Sequence, residues 1–118
     1  IWYFIGSKRL NKRLHERIDQ TRRASGRLLI PTIVLAEVLD IAEKGRVKFD
    51  FPHMYQLIRD ENEFEIVGFS QEIFEEAQRI QKMVEIHDRI IATTARFFEA
   101  GVLTRDRIIR ASGEVETW

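Results

Sequence analysis

The stretch LLIPTIVLAEVLDIAEKG, residues 28–45, decides the fold class of this chain. Its first three residues form an apolar run that Pro31 closes, which is typical of a short strand buried on both faces. Thr32 follows as a candidate helix N-cap, and the sequence predicts a helix from there until Gly45 ends it. A strand that leads directly into an amphipathic helix is the repeating unit of an α/β fold.

The same alternation of strand and helix continues along the chain. The apolar pattern predicts further strands at residues 64–69, 102–104 and 114–118, and further helices at residues 8–24, 52–60, 71–84 and 88–100. Ser70 lies where the N-cap of a helix belongs, and Gly101 follows the last predicted helix. We therefore expect an α/β protein with three layers, α/β/α, around a central parallel sheet. Residues 1–118 are long enough for a single domain.

Composition excludes several classes of function. The 118 residues, 14.0 kDa, contain no cysteine, which excludes disulfides, thiolate metal ligands and a cysteine nucleophile, and suits a reducing cytoplasm. The longest apolar stretch, residues 28–36, is short and contains Pro31, so no membrane span is predicted. Nineteen basic and nineteen acidic residues cancel, and overall charge therefore does not indicate a nucleic-acid-binding protein.

The distribution of charge is uneven. Residues 1–27 hold eight basic and two acidic residues, a net charge of +6, so the remaining residues, eleven basic and seventeen acidic, carry −6. A basic arm beside an acidic body can hold phosphates on one surface, and a solvated basic helix face is an equally open interpretation. The candidate phosphate-binding residues in this arm are Arg9, Arg13, Arg17, Arg22 and Arg23.

Two of three candidate carboxylates occupy positions where α/β proteins place their sites, near the carboxyl ends of strands. Asp106 follows the predicted strand at 102–104, and Glu37 lies in the second turn of the helix after the first strand. Asp88 heads an apolar helix stripe, where a carboxylate needs N–H groups, a cation or a metal. Taken alone, each has a structural explanation: Asp88 as a helix cap, Glu37 as a surface side chain, Asp106 as a turn residue.

Taken together, ordered segments of the chain carry a family resemblance. These segments are IPTIVLAEV at residues 30–38, EIHDRIIATTA at 85–95, GVLTRDRII at 101–109 and VETW at 115–118. In this order and spacing the set resembles the PIN-domain nucleases, and most closely the VapC-type toxins of prokaryotic toxin–antitoxin pairs. The first strand of that family ends in an Asp-Thr pair just before a segment similar to residues 1–6. We therefore expect the natural protein to carry that strand and its Asp upstream of Ile1.

The resemblance implies a metal-dependent endoribonuclease. Glu37, Asp88 and Asp106 would hold one or two Mg²⁺ or Mn²⁺ ions, which prefer oxygen ligands, and Thr104 would support this cluster by hydrogen bonding. The implied substrate is RNA, with tRNA first, and the arginines of the basic arm would bind its backbone. The implied partners are a cognate antitoxin and a second copy in a homodimer. The alternatives are a PIN nuclease of RNA maturation and a catalytically inert PIN-like binding module.

Overall fold

The structure, a computed structural model, describes residues 12–24, 26–45, 48–80, 85–103 and Thr117. Within these residues there are five helices and two strands: α1 (Lys12–Arg23), β1 (Leu28–Pro31), α2 (Thr32–Glu43), α3 (Phe51–Asp60), β2 (Phe64–Val67), α4 (Gln71–Ala77) and α5 (Ile86–Phe97). The chain divides into two compact units, Ile1–Val67 and Gly68–Trp118. No helix in the described ranges is long and apolar enough to cross a membrane.

The sheet of the first unit is parallel, as the sequence predicts. β1 pairs with β2 so that Leu28 lies opposite Phe64 and Pro31 lies opposite Val67. The connection between the two strands contains α2 and α3, which is the crossover that parallel strands require. β2 ends at Val67, two residues before the predicted end, so Phe69 lies outside the strand with 46% of its surface exposed. The α/β class of the chain is confirmed, while the three-layer arrangement and the single domain stay predictions.

The core of the first unit lies between its helices and the sheet. Leu35 and Val38 of α2, three residues apart, and Met54 and Ile58 of α3, four apart, are buried together, as the spacing of one helix face requires. The apolar pattern of residues 52–60 also predicts that Leu57 points inward beside Met54 and Ile58, and this prediction is wrong, because 37% of the Leu57 surface is exposed. Leu57 lies about 100° around the helix from Ile58, the most deeply buried residue of this core.

α1 packs against β1, and the turn between them is tight. The Gly26 N–H donates to the Thr21 carbonyl at 2.8 Å, and a Cβ at Gly26 would lie 2.9 Å from Thr21 Cγ2. Glycine is therefore required there because a side chain would meet the last turn of α1. Ile18 of the predicted apolar stripe is half-buried. The predicted start of this helix, residues 8–11, lies outside the described residues.

For α2, the predicted helix start is wrong and the predicted helix end is confirmed. The N-cap is Pro31, with φ −64° and ψ 141° and no side-chain bond, so the prediction that Thr32 caps the helix is wrong. Pro31 already lies in β1, so the strand leads into the helix without a capping residue between them, and Thr32 is the first helical residue. At the other end, Gly45 adopts φ +66° and donates its N–H to the Ala42 carbonyl at 3.2 Å. Gly45 therefore ends the helix as predicted.

In the second unit, α4 and α5 pack against each other. Ile80, Ala92, Ala95 and Val102 form its buried cluster. The predicted N-cap of α4 is confirmed, since the Ser70 hydroxyl accepts the Ile73 N–H at 3.2 Å. The helix ends at Ala77, earlier than the predicted residue 84, and residues 81–84 lie outside the described part of the chain.

α5 ends earlier than the sequence predicts, and without glycine. Glu99 takes the left-handed conformation, with φ 53°, and donates its N–H to Arg96, while Ala100 donates to Ala95 at 2.8 Å. This pair of bonds is a Schellman motif, so Glu99 and not Gly101 stops the helix. Beyond it, the predicted strands at 102–104 and 114–118 are represented among the described residues by one parallel bridge between Val102 and Thr117.

Candidate active site

Asp88 lies on the first turn of α5, as its third residue. The helix begins at Ile86 and its N-cap is Glu85, whose Oε2 accepts the Asp88 N–H at 2.8 Å. The prediction that Asp88 itself opens the helix is therefore wrong, because a longer carboxylate side chain three residues earlier takes the capping position. The Asp88 side chain is half-buried. A carboxylate in the first helical turn is stabilised by the positive end of the helix dipole.

Glu85 contacts the turn that carries Asp88, and the sequence reasoning assigned it no role. Its Oε2 holds the Asp88 backbone, and its Oε1 lies 3.5 Å from Nδ1 of His87. One carboxylate thus contacts two residues of the turn that carries Asp88. The signal in the sequence was weak, since a carboxylate three residues before Asp88 can accept its N–H but glutamate is not among the preferred N-cap residues.

Glu37 is the sixth residue of α2, and its side chain is exposed. It lies between the buried Leu35 and Val38 in sequence, but on the wheel it borders the core, as the periodicity predicts. An exposed carboxylate at this position is available to solvent and to ions. Its chemistry is therefore compatible with a metal ligand and equally with an ordinary surface residue.

The residues of the predicted acidic cluster belong to both compact units of the chain. Glu37 belongs to Ile1–Val67, whereas Asp88, Thr104 and Asp106 belong to Gly68–Trp118. Thr104 and Asp106 lie outside the described residues. Across residues 12–24, 26–45, 48–80 and 85–103, no three histidine, aspartate or glutamate side chains are close enough together to hold a metal ion.

The donor chemistry of the described candidates nevertheless fits a hard divalent cation. Asp88 and Glu37 offer carboxylate oxygens, which Mg²⁺ and Mn²⁺ prefer over nitrogen or sulfur ligands. Two carboxylates leave such a site incomplete, and the resemblance assigns the third to Asp106. Carboxylates are therefore the right type of ligand for this metal, and the presence of a complete set of ligands stays a prediction.

Arg22 of the basic helix α1 is engaged within the protein. Arg22 is half-buried, with Nε 3.4 Å from Glu63 Oε1 and its guanidinium 5.5 Å from the centre of the Phe64 ring. The pKa of Glu63 is lowered, first by a hydrogen bond from its own backbone N–H and then by the charge of Arg22. Arg22 therefore joins α1 to the start of β2. A phosphate would have to compete with Glu63 for the Arg22 guanidinium.

The other predicted RNA-binding arginines differ in exposure. Arg17 and Arg23 have exposed side chains. Near them on the helix, Lys12 Nζ lies 4.0 Å from Glu16 Oε1, and His15 Nδ1 lies 3.1 Å from Asp19 Oδ2. Such exposed pairs contribute little to stability. Arg9 and the side chain of Arg13 lie outside what the structure describes, so the RNA-binding surface of the arm stays a prediction.

Comparison with known proteins identifies the family. The family model of the PIN domain matches residues 1–114, a range that includes Glu37, Asp88, Thr104 and Asp106. None of the curated proteins compared with the chain matches it. PIN domains are generally nucleases and usually bind divalent metals. With nearly its whole length matched, this chain belongs to the PIN-domain family.

Proposed function

We propose that this protein is a metal-dependent endoribonuclease of the cytoplasm and the toxin of a type II toxin–antitoxin pair. The proposed reaction is hydrolysis of RNA phosphodiester bonds, with tRNA as the first substrate class to test. The observation that carries the proposal is the position of Asp88: within a PIN-domain match, a half-buried carboxylate lies on the capped first turn of α5. The order of the other acidic segments along the chain adds support.

The roles proposed for the site residues rest on the contacts of Asp88 and Glu85 and, for the others, on the family resemblance. Asp88 would bind the metal directly, because α5 and the Glu85 cap fix its backbone. Asp106 would be a second ligand or would orient a water, and Glu37 would act in the same way. Thr104 would support the carboxylates by hydrogen bonding. Glu85 is a positioning residue, since its carboxylate holds the Asp88 N–H.

The metal explains why carboxylates would be gathered for this reaction. Clustered carboxylates repel one another and the RNA phosphate, so they are tolerable only when a cation neutralises them. A bound Mg²⁺ or Mn²⁺ would screen the charge that develops on the phosphate and make water a better nucleophile. The proposed substrate contacts of the basic arm, through residues such as Arg17 and Arg23, are electrostatic and would weaken steeply as salt rises.

The proposed partners follow from the resemblance to toxins. A cognate antitoxin would inhibit by placing a peptide, with a basic side chain, across the acidic cluster. A second copy of the chain would complete a homodimer, to which the apolar segment at residues 2–5 could contribute. A gel-filtration mass equal to one chain would contradict the dimer, and a neighbouring gene that suppresses toxicity on co-expression would support the antitoxin.

Cleavage of a bulk tRNA pool by the full-length protein tests the proposal. We expect cutting with Mg²⁺ or Mn²⁺, no cutting with EDTA, and no cutting by Asp88→Asn. Asp60→Asn is the matched control, because Asp60 is an exposed aspartate at the end of α3 that only accepts a bond from Gln56 at 2.9 Å. Cutting that survives both EDTA and Asp88→Asn would contradict the proposal.

The cleavage experiment, together with a growth assay and the identity of the neighbouring gene, separates the two alternatives from the proposal. A PIN nuclease of RNA maturation would cut RNA with the same metal dependence, but its expression would not arrest growth and no antitoxin gene would accompany it. A catalytically inert PIN-like module would bind RNA and cut none.

A further inference from the structure

Two neighbouring threonines are buried in α5, the helix that carries Asp88. Thr93 has 1% of its surface exposed and Thr94 has 3%, and among the side chains that the structure describes they are the only buried polar ones. Valine has nearly the same shape and would fill either position without the cost of burying a hydroxyl. Packing alone therefore does not account for the two hydroxyls.

Both hydroxyls donate to backbone carbonyls one turn earlier in α5. Thr93 Oγ1 donates to the Arg89 carbonyl at 2.7 Å, and Thr94 Oγ1 donates to the Ile90 carbonyl at 2.6 Å. Within the helix each of these carbonyls also accepts the backbone N–H of the same threonine. An additional bond of this kind slightly destabilises a helix, so the stability of α5 does not account for the two bonds either.

The bond of Thr94 is one end of a chain of hydrogen bonds that passes through the backbone of Asp88. The Ile90 carbonyl shares its peptide group with the next N–H of the helix, which donates to the His87 carbonyl in the i→i−4 pattern of α5. The His87 carbonyl in turn shares its peptide group with the Asp88 N–H, which donates to Glu85 Oε2 at 2.8 Å. Consecutive hydrogen bonds polarise and strengthen one another. The Asp88 backbone is therefore held by the Glu85 carboxylate and, through two peptide groups, by the Thr94 hydroxyl.

The bond of Thr93 leads to a different peptide group. Its chain runs from the Arg89 carbonyl to the Ile86 carbonyl, which shares its peptide group with the His87 N–H. Thr93 is thus buried and bonded in the same way as its neighbour, but without this connection to the Asp88 N–H.

We propose that Thr94 is a positioning residue for the Asp88 carboxylate. With 3% of its surface exposed, Thr94 acts through the backbone of Asp88 and not by touching metal or RNA. This role rests on the proposed function, in which Asp88 binds the metal directly, and it adds a residue of the helix interior to those that set the metal affinity. Groups that hold a metal ligand in place contribute to affinity without contacting the ion.

Thr94→Val tests the proposal because valine keeps the shape of threonine and lacks the hydroxyl. The Ile90 carbonyl keeps its helical bond in this variant, so no buried polar group loses its last partner. Thr93→Val is the matched control, since it removes the same kind of bond from the same helix. Thr94→Ser keeps the hydroxyl and should rescue the effect. Thermal melts show that each variant is folded.

Binding of Mn²⁺ alone to the full-length protein, followed by the electron paramagnetic resonance signal of the free ion, is the first readout. We expect Thr94→Val to weaken Mn²⁺ binding about tenfold, the lower end of what the outer partners of metal ligands contribute. Thr93→Val and Thr94→Ser should bind within about twofold of wild type. The second readout, amide hydrogen exchange, needs no metal: the Asp88 N–H should exchange faster in Thr94→Val than in wild type or Thr93→Val.

The outcomes separate the role of Thr94 from the proposed function. Mn²⁺ binding that Asp88→Asn abolishes and Thr94→Val leaves unchanged would overturn the role of Thr94 alone. Equal effects of Thr94→Val and Thr93→Val, on binding or on exchange, would mean a general loosening of α5 and would overturn it as well. Absence of Mn²⁺ binding by the wild-type protein would overturn both the role of Thr94 and the proposed metal site.

Discussion

Removal of the Glu85 cap is expected to damage the active site more than it damages the fold. Glu85 accepts the Asp88 N–H at 2.8 Å at the start of α5, and Ser70 accepts the Ile73 N–H at 3.2 Å at the start of α4. Replacing an N-cap by alanine costs about 1 kcal/mol. For a chain of this size that lowers Tm by about 4 °C. Glu85→Ala and Ser70→Ala should therefore destabilise the protein to a similar extent.

Only Glu85→Ala should impair cleavage. Its loss frees the turn that positions Asp88, and a displacement of about 1 Å at a reacting group can lower the rate by up to about 100-fold. We expect kcat for RNA cleavage to fall about tenfold in Glu85→Ala and to stay within about twofold of wild type in Ser70→Ala. Glu85→Gln keeps an acceptor oxygen and should restore most of the activity.

The assay is initial-rate RNA cleavage at saturating metal, paired with a thermal melt of each variant. Full activity in Glu85→Ala, at a Tm lowered as far as in Ser70→Ala, would refute the positioning role of Glu85. Equal loss of activity in both variants would also refute it, because the effect would then follow stability alone.

Three further predictions concern stability and RNA binding. Gly26→Ala should destabilise the protein by about 1–3 kcal/mol in urea unfolding, because the new Cβ would lie 2.9 Å from Thr21 Cγ2. Gly68→Ala is the control and should show no such loss, because no atom lies within 4 Å of a Cβ built there. Equal losses in the two variants would contradict the prediction. The lowered pKa of Glu63 contributes stability that is present above the ordinary value of 4.5 and is lost as pH falls through the lower folded value. The difference in free energy of unfolding between wild type and Glu63→Gln should therefore shrink as pH falls. A difference that grows in acid would contradict the lowered pKa of Glu63. Arg23→Gln should reduce the slope of log K for RNA binding against log salt by about 1, and an unchanged slope would remove Arg23 from the RNA interface.

Local signals in the sequence predicted much of the fold. The apolar run before Pro31 and the one after Glu63 gave the two paired strands, and Ser70 and Gly45 gave a helix start and a helix end. These features depend on neighbouring residues, so they can be read without tertiary context. The parallel pairing followed from the helices that separate the strands.

The predictions of the two ends of α5 failed because residues that are uncommon at helix caps occupy the capping positions. Glu85 caps α5 in place of an aspartate or serine, and Glu99 takes the left-handed position that glycine usually occupies. Leu57 was assigned to the core by its type, although the packing of α3 left it at the edge. The preferences of residue types for cap and core positions are weak predictors, because the hydrogen bonds of a Schellman motif or the packing of a neighbouring helix can outweigh them.

The candidate site was predictable only as a set. Asp88, Glu37 and Asp106 each have an ordinary structural explanation, and their order along the chain, not any one position, carried the family assignment. The contacts of Arg22 with Glu63 and Phe64 join residues 41 and 42 positions apart in sequence, so no local pattern could reveal them.

The rate of RNA cleavage as a function of Mn²⁺ concentration, measured for the full-length protein and for Asp88→Asn, tests the central claim most directly. The claim is that carboxylates of this PIN domain hold a divalent ion that cleavage requires. We expect the wild-type rate to rise with Mn²⁺ to saturation from zero in EDTA, and Asp88→Asn to stay near zero across the range. Metal-independent cleavage, or the same curve for both proteins, would contradict the claim.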